Sequence, residues 1–297
     1  MFVTLLYFRL QEMEDKQSPP VSACSLSVAG RCFLITGGTQ GLGLAVARSL
    51  KRLGAVGIIL VSRSKEKGVA AVEELEGGGD CKAWHVVADL SEADQAASVF
   101  SQVEKLIGDD EKYTVTGIVN AAATTSRGNL FTTTPADFDA QFALNVRAPF
   151  LITQAAANHM IRRKRNREGS IVNICSVASH GGAPFIMAYS CSKSALVTLT
   201  KNNAAELSSR GIRVNAVNMG WCLTDNEDKL QTRQTDSKWS ERADASVPLG
   251  RILRPEDVAA TVCFLLSAAS SMTTGSVIDL HPEFANGMLS LLEEDSR

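Results

Sequence analysis

Tyr189 and Lys193 stand four residues apart in AYSCSKSAL, residues 188–196, with only small side chains between them. On a helix that spacing sets the phenol and the ammonium on one face. Such a pair can move protons: a phenol serves as general acid or base when a nearby cation favours its phenolate. The same spacing also arises on ordinary amphipathic helices, so the pair acquires meaning only from other residues. One such feature is TGGTQGLG, residues 36–43, where Gly37, Gly41 and Gly43 follow a G-x-x-x-G-x-G spacing. Glycines so placed between a strand and a helix allow a tight turn and close backbone approach to a pyrophosphate. The expected cradle for a dinucleotide is Gly37, Thr39, Gln40, Gly41, Leu42 and Gly43.

These residues need elements to hold them, and the chain supplies an alternation. Apolar runs at 31–36, 56–62, 82–89, 115–123, 169–176, 212–219 and 275–280 read as strands. Helical patterns lie between them at 42–54, 65–79, 91–108 (with Ser91 as a cap), about 136–164, 187–209 and 254–267. Strands alternating with helices of this length imply an α/β, doubly wound, mostly parallel seven-stranded sheet with helices on both faces. No composition break follows residue 30, so one domain is expected over 30–281. A flexible extension at 1–29 and a tail at 282–297 flank it. Residues 221–246 are polar and less regular.

The end of the second strand should select the dinucleotide. An NAD site commonly carries an acid there for the ribose 2′-hydroxyl. Here VSRSKEKG places Ser62, Arg63 and Ser64 at that point, followed by Lys65. A cation with hydroxyls suits a 2′-phosphate, so NADP(H) is preferred over NAD(H).

Composition excludes several other classes. The chain has 297 residues, 45% hydrophobic and 21% charged, enough to fill a core, and its net charge of -2 gives no overall pull toward nucleic acid. The basic run RRKRNR at 162–167 is either a polyanion or nuclear-address patch or, more simply, a solvated helix end. The N-terminal MFVTLLYFRL is short, lacks a basic lead and is followed by Glu12, Glu14 and Asp15, unlike a secretory or transit signal. No stretch is long and apolar enough to span a bilayer. Seven cysteines without a C-x-x-C pair suggest a reduced, cytoplasmic protein. Four scattered histidines show no ligand spacing, and no metal is expected.

Taken together, these motifs resemble the classical short-chain dehydrogenase/reductase family over residues 30 to about 281. ADLS (88–91) is similar to the family's acidic turn, which implies that Asp89 and Leu90 lie by the adenine. VNAAA (119–123) resembles its N-N-A-G turn, with Asn120, Ala121 and Ala122 at the cofactor and Ala123 where a glycine is usual. Asn145 in LNVRAPF, Ser176, and the pair Tyr189 and Lys193 match the family's four catalytic positions in order. The resemblance implies that Tyr189 transfers a proton while hydride moves to or from nicotinamide, and that Lys193 also bonds the ribose. It further implies that Ser176 holds the substrate oxygen and that Asn145 seats a water linked to Lys193. In NMGWCLT (218–224) Met219 replaces a usual proline; Gly220, Cys222 and Thr224 are then expected at the carboxamide.

For the substrate, Ser176, His180, Gly182, Tyr189 and Trp221 are the candidate pocket residues, with Trp221 either at the pocket mouth or in a core under the lid. The polar lid points to a small polar carbonyl or alcohol such as a sugar, polyol or hydroxy-ketone. An NAD-dependent polyol or alcohol dehydrogenase, and a non-catalytic dinucleotide sensor or scaffold, are the alternatives. The resemblance also implies a homodimer or homotetramer built on the helices near 136–164 and 187–209.

Overall fold

The computed structural model describes residues 26–165 and 169–281. Most of the expected N-terminal extension, the C-terminal tail, and Asn166 and Arg167 of the basic run lie outside the described residues.

The strands are β1 (Cys32–Thr36), β2 (Gly57–Ser62), β3 (Lys82–Val87), β4 (Val115–Asn120), β5 (Ser170–Ser176), β6 (Arg213–Met219) and β7 (Val277–Leu280). They form one sheet in the order β3-β2-β1-β4-β5-β6-β7, every pairing parallel. The helices are α1 (Gly41–Arg52), α2 (Lys65–Glu76), α3 (Ala93–Ile107), α4 (Pro135–Phe142), α5 (Ala148–Arg162), α6 (Met187–Ser208), α7 (Asp225–Gln234), α8 (Trp239–Ala245) and α9 (Pro255–Leu266). In β1, Phe33 and Ile35 face the cluster that includes Val46 and Leu50 of α1 and Val258 and Val262 of α9. Its Cys32 and Leu34 face the other cluster, with Val99 and Val103 of α3 and Ile152 and Met160 of α5. Both sheet faces are therefore covered, which is why the inner strands read as unbroken apolar runs rather than as an alternation. Chain order runs outward both ways from β1 and β4, opening a crevice at the carboxyl ends of these strands, where such sheets bind ligands.

Three local expectations are corrected. The long helix expected over 136–164 is interrupted by a π-helical turn, Ala143–Arg147, that contains Asn145. Pro149 lies four residues beyond Asn145 and has no N–H to bond its carbonyl, so a regular α-helical ladder cannot pass this point. Ser91 does not cap α3. Its hydroxyl and amide both donate to the Asp89 carboxylate, at 2.6 and 2.9 Å, which ties the residue into the turn before the helix and leaves Glu92 at the N-cap position. Residues 221–246 are more regular than their polarity suggests. Thr224 caps α7 by accepting from the Glu227 amide, and Trp239, Ala243, Val247 and Ile252 form a small apolar cluster with Leu223. Trp239 is buried, and its indole N–H donates to Asp228.

The basic run ends α5 as a partnered surface. Arg162 meets Glu104, and Arg163 reaches the Gly108 carbonyl and Asp109. No helix among the described residues is long and apolar enough to cross a membrane.

Candidate active site

The crevice is a cleft of about 1030 Å³ between the glycine loop, the end of β2, the turn after β4 and the start of α7. The loop's glycines are required by contact. A Cβ on Gly43 would sit 2.4 Å from the Gly37 carbonyl oxygen, and one on Gly37, whose φ is +66°, would meet Ala122 Cα at 3.0 Å. Gln40 precedes α1 without capping it through its side chain, whose oxygen instead accepts from Lys67. The first turn of α1 thus faces the cleft without a side-chain cap, as an anion site at a helix N-terminus needs. Thr224 closes the cleft from the opposite side, its Cβ 3.8 Å from where a Gly41 Cβ would lie. These features fit the pyrophosphate of a dinucleotide.

At the ribose end, Ser62, Arg63, Ser64, Asp89 and Leu90 all line the cleft. Their side chains differ in availability. Ser62 is bonded to the His85 ring at 2.9 Å, and Ser64 caps α2 by accepting from the Lys67 amide. Arg63 is highly exposed and only 3.8 Å from Asp89. Partial burial pushes the Asp89 carboxyl up, but hydrogen bonds from Ser91 and the Arg63 charge outweigh it and hold the group below the ordinary aspartate value. Lys67, rather than Lys65, lines the cleft as a second cation. Sequence reasoning missed it because only the helical turn after Ser64 swings position 67 back toward Gln40. Lys229 of α7 lines the cleft as well, as do Arg48 and Arg254, whose charges are paired with Glu74 and Asp244.

Ala121 and Ala122 line the cleft as expected, and both their amides donate to Thr36 Oγ1 at 3.1 Å. Asn120 does not face it. This buried amide donates to Asn173 on β5, and Asn173 donates to Thr200 on α6. Asn120 therefore ties β4 through β5 to the helix that carries the proton-transfer pair, since a polar side chain in a sheet covered on both faces must find a partner inside. Cys222 is also buried, beside the bridge of its backbone to Leu253, and burial first, then Asp257, pushes its thiol up to about 12. Gly220 donates its amide to Leu280. Neither of these two lines the cleft, whereas Thr224 does. Met219, where a proline was expected, continues β6 in register with both Ser176 and Leu280 and packs on the core. A proline here has no N–H to offer the ladder.

The four polar residues lie outside the cleft lining, on the π-helical turn (Asn145), at the end of β5 (Ser176) and in the first turns of α6 (Tyr189 and Lys193). Lys193 is almost wholly buried, and its ammonium donates to the Ile174 carbonyl on β5 at 2.8 Å and stands 5.6 Å from the Tyr189 ring centroid. An ammonium has three N–H donors, and among the described residues Ile174 takes one. The remaining donors fit the hydroxyls of a nicotinamide ribose. Ser176 ends β5, and its oxygen accepts from the Ala178 amide at 3.2 Å, which leaves its own O–H to donate. Ser190 and Ser194 of α6 donate to the Ala178 and Ser179 carbonyls at 2.6 Å each, so the turn after Ser176 is pinned to the helix that carries Tyr189. Asn145 is fully buried. Its amide exchanges two 3.0 Å hydrogen bonds with the Thr124 backbone and donates to Ser192 beside Lys193. Its side chain thus clamps the loop after β4.

Of the candidate pocket residues, Gly182 is exposed in the left-handed region at φ +77°, and His180 is bonded to Asp279 at 3.0 Å. Trp221 is 41% exposed, packs at 5.3 Å on Trp239 and donates its indole N–H to Glu227. It belongs to the lid surface and not to a core beneath it.

The enoyl-(acyl carrier protein) reductase family model matches residues 37–280. The 2-(S)-hydroxypropyl-CoM dehydrogenase 3 of Xanthobacter autotrophicus is 36% identical over 244 residues, which are 82% of this chain and 91% of that protein. A 3-oxoacyl-(acyl-carrier-protein) reductase of Thermotoga maritima is 36% identical over 86% of this chain and 98% of its own. The crystal structure of a gluconate 5-dehydrogenase from Burkholderia cenocepacia, in complex with NADP and tartrate, matches with a TM-score of 0.78 at 30% identity, covering 89% of this chain and 98% of that one. This chain belongs to the short-chain dehydrogenase/reductase family and is an oxidoreductase of CH-OH and carbonyl groups that uses a nicotinamide dinucleotide.

Proposed function

We propose that the protein is an NADP(H)-dependent oxidoreductase that interconverts a carbonyl and a secondary alcohol on a small polar substrate, with Tyr189 as its general acid/base. The observation that carries this reading is the buried Lys193 ammonium, held between the Ile174 carbonyl and the Tyr189 ring. A buried cation is costly without a role or a partner. It stands beside the phenol that is to move the proton. The bound nicotinamide supplies or accepts the hydride. In reduction the Tyr189 hydroxyl gives its proton to the substrate oxygen while the Ser176 hydroxyl donates a hydrogen bond to the same oxygen, stabilising the charge that develops there. In oxidation both steps reverse. Asn145 and Ser192 hold the surrounding backbone in register, and the family resemblance supports a water seated by Asn145 between Lys193 and solvent.

Preference for the 2′-phosphate rests on Arg63 and Lys67 at the cleft rim. The small polar substrate is supported by the charged and polar side chains of α7 in the lid, and by the tartrate held in the related gluconate 5-dehydrogenase. Six free cysteines among the described residues support a reducing, cytoplasmic setting. Exposed Phe138 and Phe150, beside an apolar hollow formed by Phe142, Val146 and Leu199, support a two-fold dimer across α4, α5 and α6.

Two measurements test the reading. Nicotinamide absorbance with NADPH or NADH against a panel of sugars, polyols and hydroxy-ketones should give turnover with NADPH and a small polar carbonyl. Tyr189→Phe should lower kcat by at least about 100-fold while leaving cofactor affinity unchanged. Parent-like turnover in that variant removes Tyr189 from the reaction.

A further inference from the structure

The chain has four histidines. His85 bonds Ser62, and His159 bonds Glu104 and the Val115 amide. The other two, His180 and His281, come together around Asp279 at the far side of the sheet's carboxyl end. His180 belongs to the turn after β5, Asp279 to β7, and His281 to the residue following β7. His180 Nε2 lies 3.0 Å and His281 Nε2 3.9 Å from Asp279 Oδ1, and ligand atoms from all three residues fall within 4.8 Å of one another.

An ion pair alone accounts for only half of this arrangement. The His180–Asp279 contact is an ordinary hydrogen bond, whereas 3.9 Å is too long for one. Two donors sharing a zinc-like ion, each at about 2.0–2.2 Å, stand roughly 3–4 Å apart, and both contacts to the carboxylate fall in that range. Bringing the two imidazoles from at most 4.8 Å to about 4 Å asks only a sub-ångström rotation of the exposed His180 ring. The carboxylate is also oriented from behind: Asn218 donates to Asp279 Oδ1 at 3.0 Å, and Ser179 donates to Asn218 at 3.1 Å. Metal-bound carboxylates carry this kind of outer hydrogen bond.

We propose that His180, Asp279 and His281 form a binding site for a divalent transition metal of the zinc class. Two imidazoles and one carboxylate suit zinc, cobalt or nickel rather than magnesium or calcium, which take oxygen ligands. The site is distinct from the cofactor cleft, whose lining includes none of the three residues. Its occupant bridges the turn after Ser176 to the edge strand β7, so binding fixes the backbone that follows Ser176. Water fills the remaining coordination positions, because His180 and Asp279 are exposed.

The test uses the full chain without any histidine tag, stripped with a chelator and then titrated with Co²⁺. The expected result is saturable visible absorption at one ion per chain, abolished by added Zn²⁺, with a higher melting temperature in the loaded protein. His281→Ala and Asp279→Asn, each first shown to melt like the parent without metal, should weaken Co²⁺ binding by at least about tenfold. His85→Gln should bind as the parent does. If His281→Ala does not fold, the isosteric Asp279→Asn decides. The proposal is overturned if the parent shows no saturable absorption, if the folded ligand variants bind like the parent, or if His85→Gln abolishes binding.

Discussion

Gly43 offers the sharpest test of how the glycine loop works. A Cβ at this position would lie 2.4 Å from the Gly37 carbonyl oxygen, 2.8 Å from its carbon and 2.9 Å from Gly38 Cα. Ordinary contact begins at 3.4 Å, so the overlap is about an ångström, and every opposing atom is backbone. No rotamer change can relieve it; α1 must move away from the loop. Overpacking of this kind costs about 1–3 kcal/mol. For a domain of this size each kcal/mol lowers Tm by about 2–4 °C, so Gly43→Ala should melt about 2–12 °C below the parent. The same displacement moves the helix N-terminus that faces the phosphates. Loss of one charge-assisted hydrogen bond, about 1.5–3 kcal/mol, weakens cofactor binding by about tenfold or more. Calorimetric melting and titration with NADPH read both effects. Gly79→Ala serves as the control, because its Cβ would meet only the flexible Lys51 Cε, at 3.7 Å. It should change stability by no more than about 0.5 kcal/mol. If Gly43→Ala melts with the parent and binds NADPH equally well, the close approach of loop and helix is not what demands glycine here.

Two further outcomes follow from the geometry. Arg63→Ala and Lys67→Ala should each weaken NADPH by about tenfold or more with little change for NADH, since only the former carries a 2′-phosphate; equal losses by titration calorimetry would assign the two cations no part in selection. Burial holds the His159 pKa below its ordinary value against the opposing pull of Glu104, while the Val115 amide donates to Nε2, so the folded state prefers the neutral ring. A folded pKa below the unfolded one adds stability that is complete above about pH 6.5 and is lost as pH falls toward the folded value. Between about pH 7 and 5.5, urea unfolding of the parent should therefore lose stability faster than His159→Gln, by up to about 1.4 kcal/mol per pH unit; parallel pH slopes would contradict this.

The alternation of apolar runs with helical patterns, the glycine spacing and the Tyr189–Lys193 pair are all local features, and all are legible in the chain itself. Strand runs such as CFLIT are readable because a parallel strand covered on both faces must be apolar throughout, and β1 is wholly buried. The side-chain direction of Asn120 is not legible in this way. Its place at the end of β4 suits a cofactor contact, but the parallel register sets it beside Asn173, and that neighbour takes its amide. Nor does the chain itself show where the Asn145 side chain goes: the π-helical turn aims its amide at Thr124 and Ser192.

By itself the sequence determined which residues carry chemistry and the order in which they arrive: a phosphate-binding turn after the first strand, cations after the second, Ser176 closing the fifth, and a phenol with an ammonium one helical turn apart. Those are matters of residue type and short spacing, which a helix or a turn converts directly into geometry. Tertiary structure alone decided which side chains remain available. It turned Lys67 rather than Lys65 into the cleft, buried Trp239 of a polar lid while leaving Trp221 exposed, and brought His180 to His281 although all the chain from α6 to β7 runs between them. Pairing across β5, β6 and β7 controls that last meeting, and a pairing partner is chosen by packing over the whole sheet, which no local stretch of chain encodes.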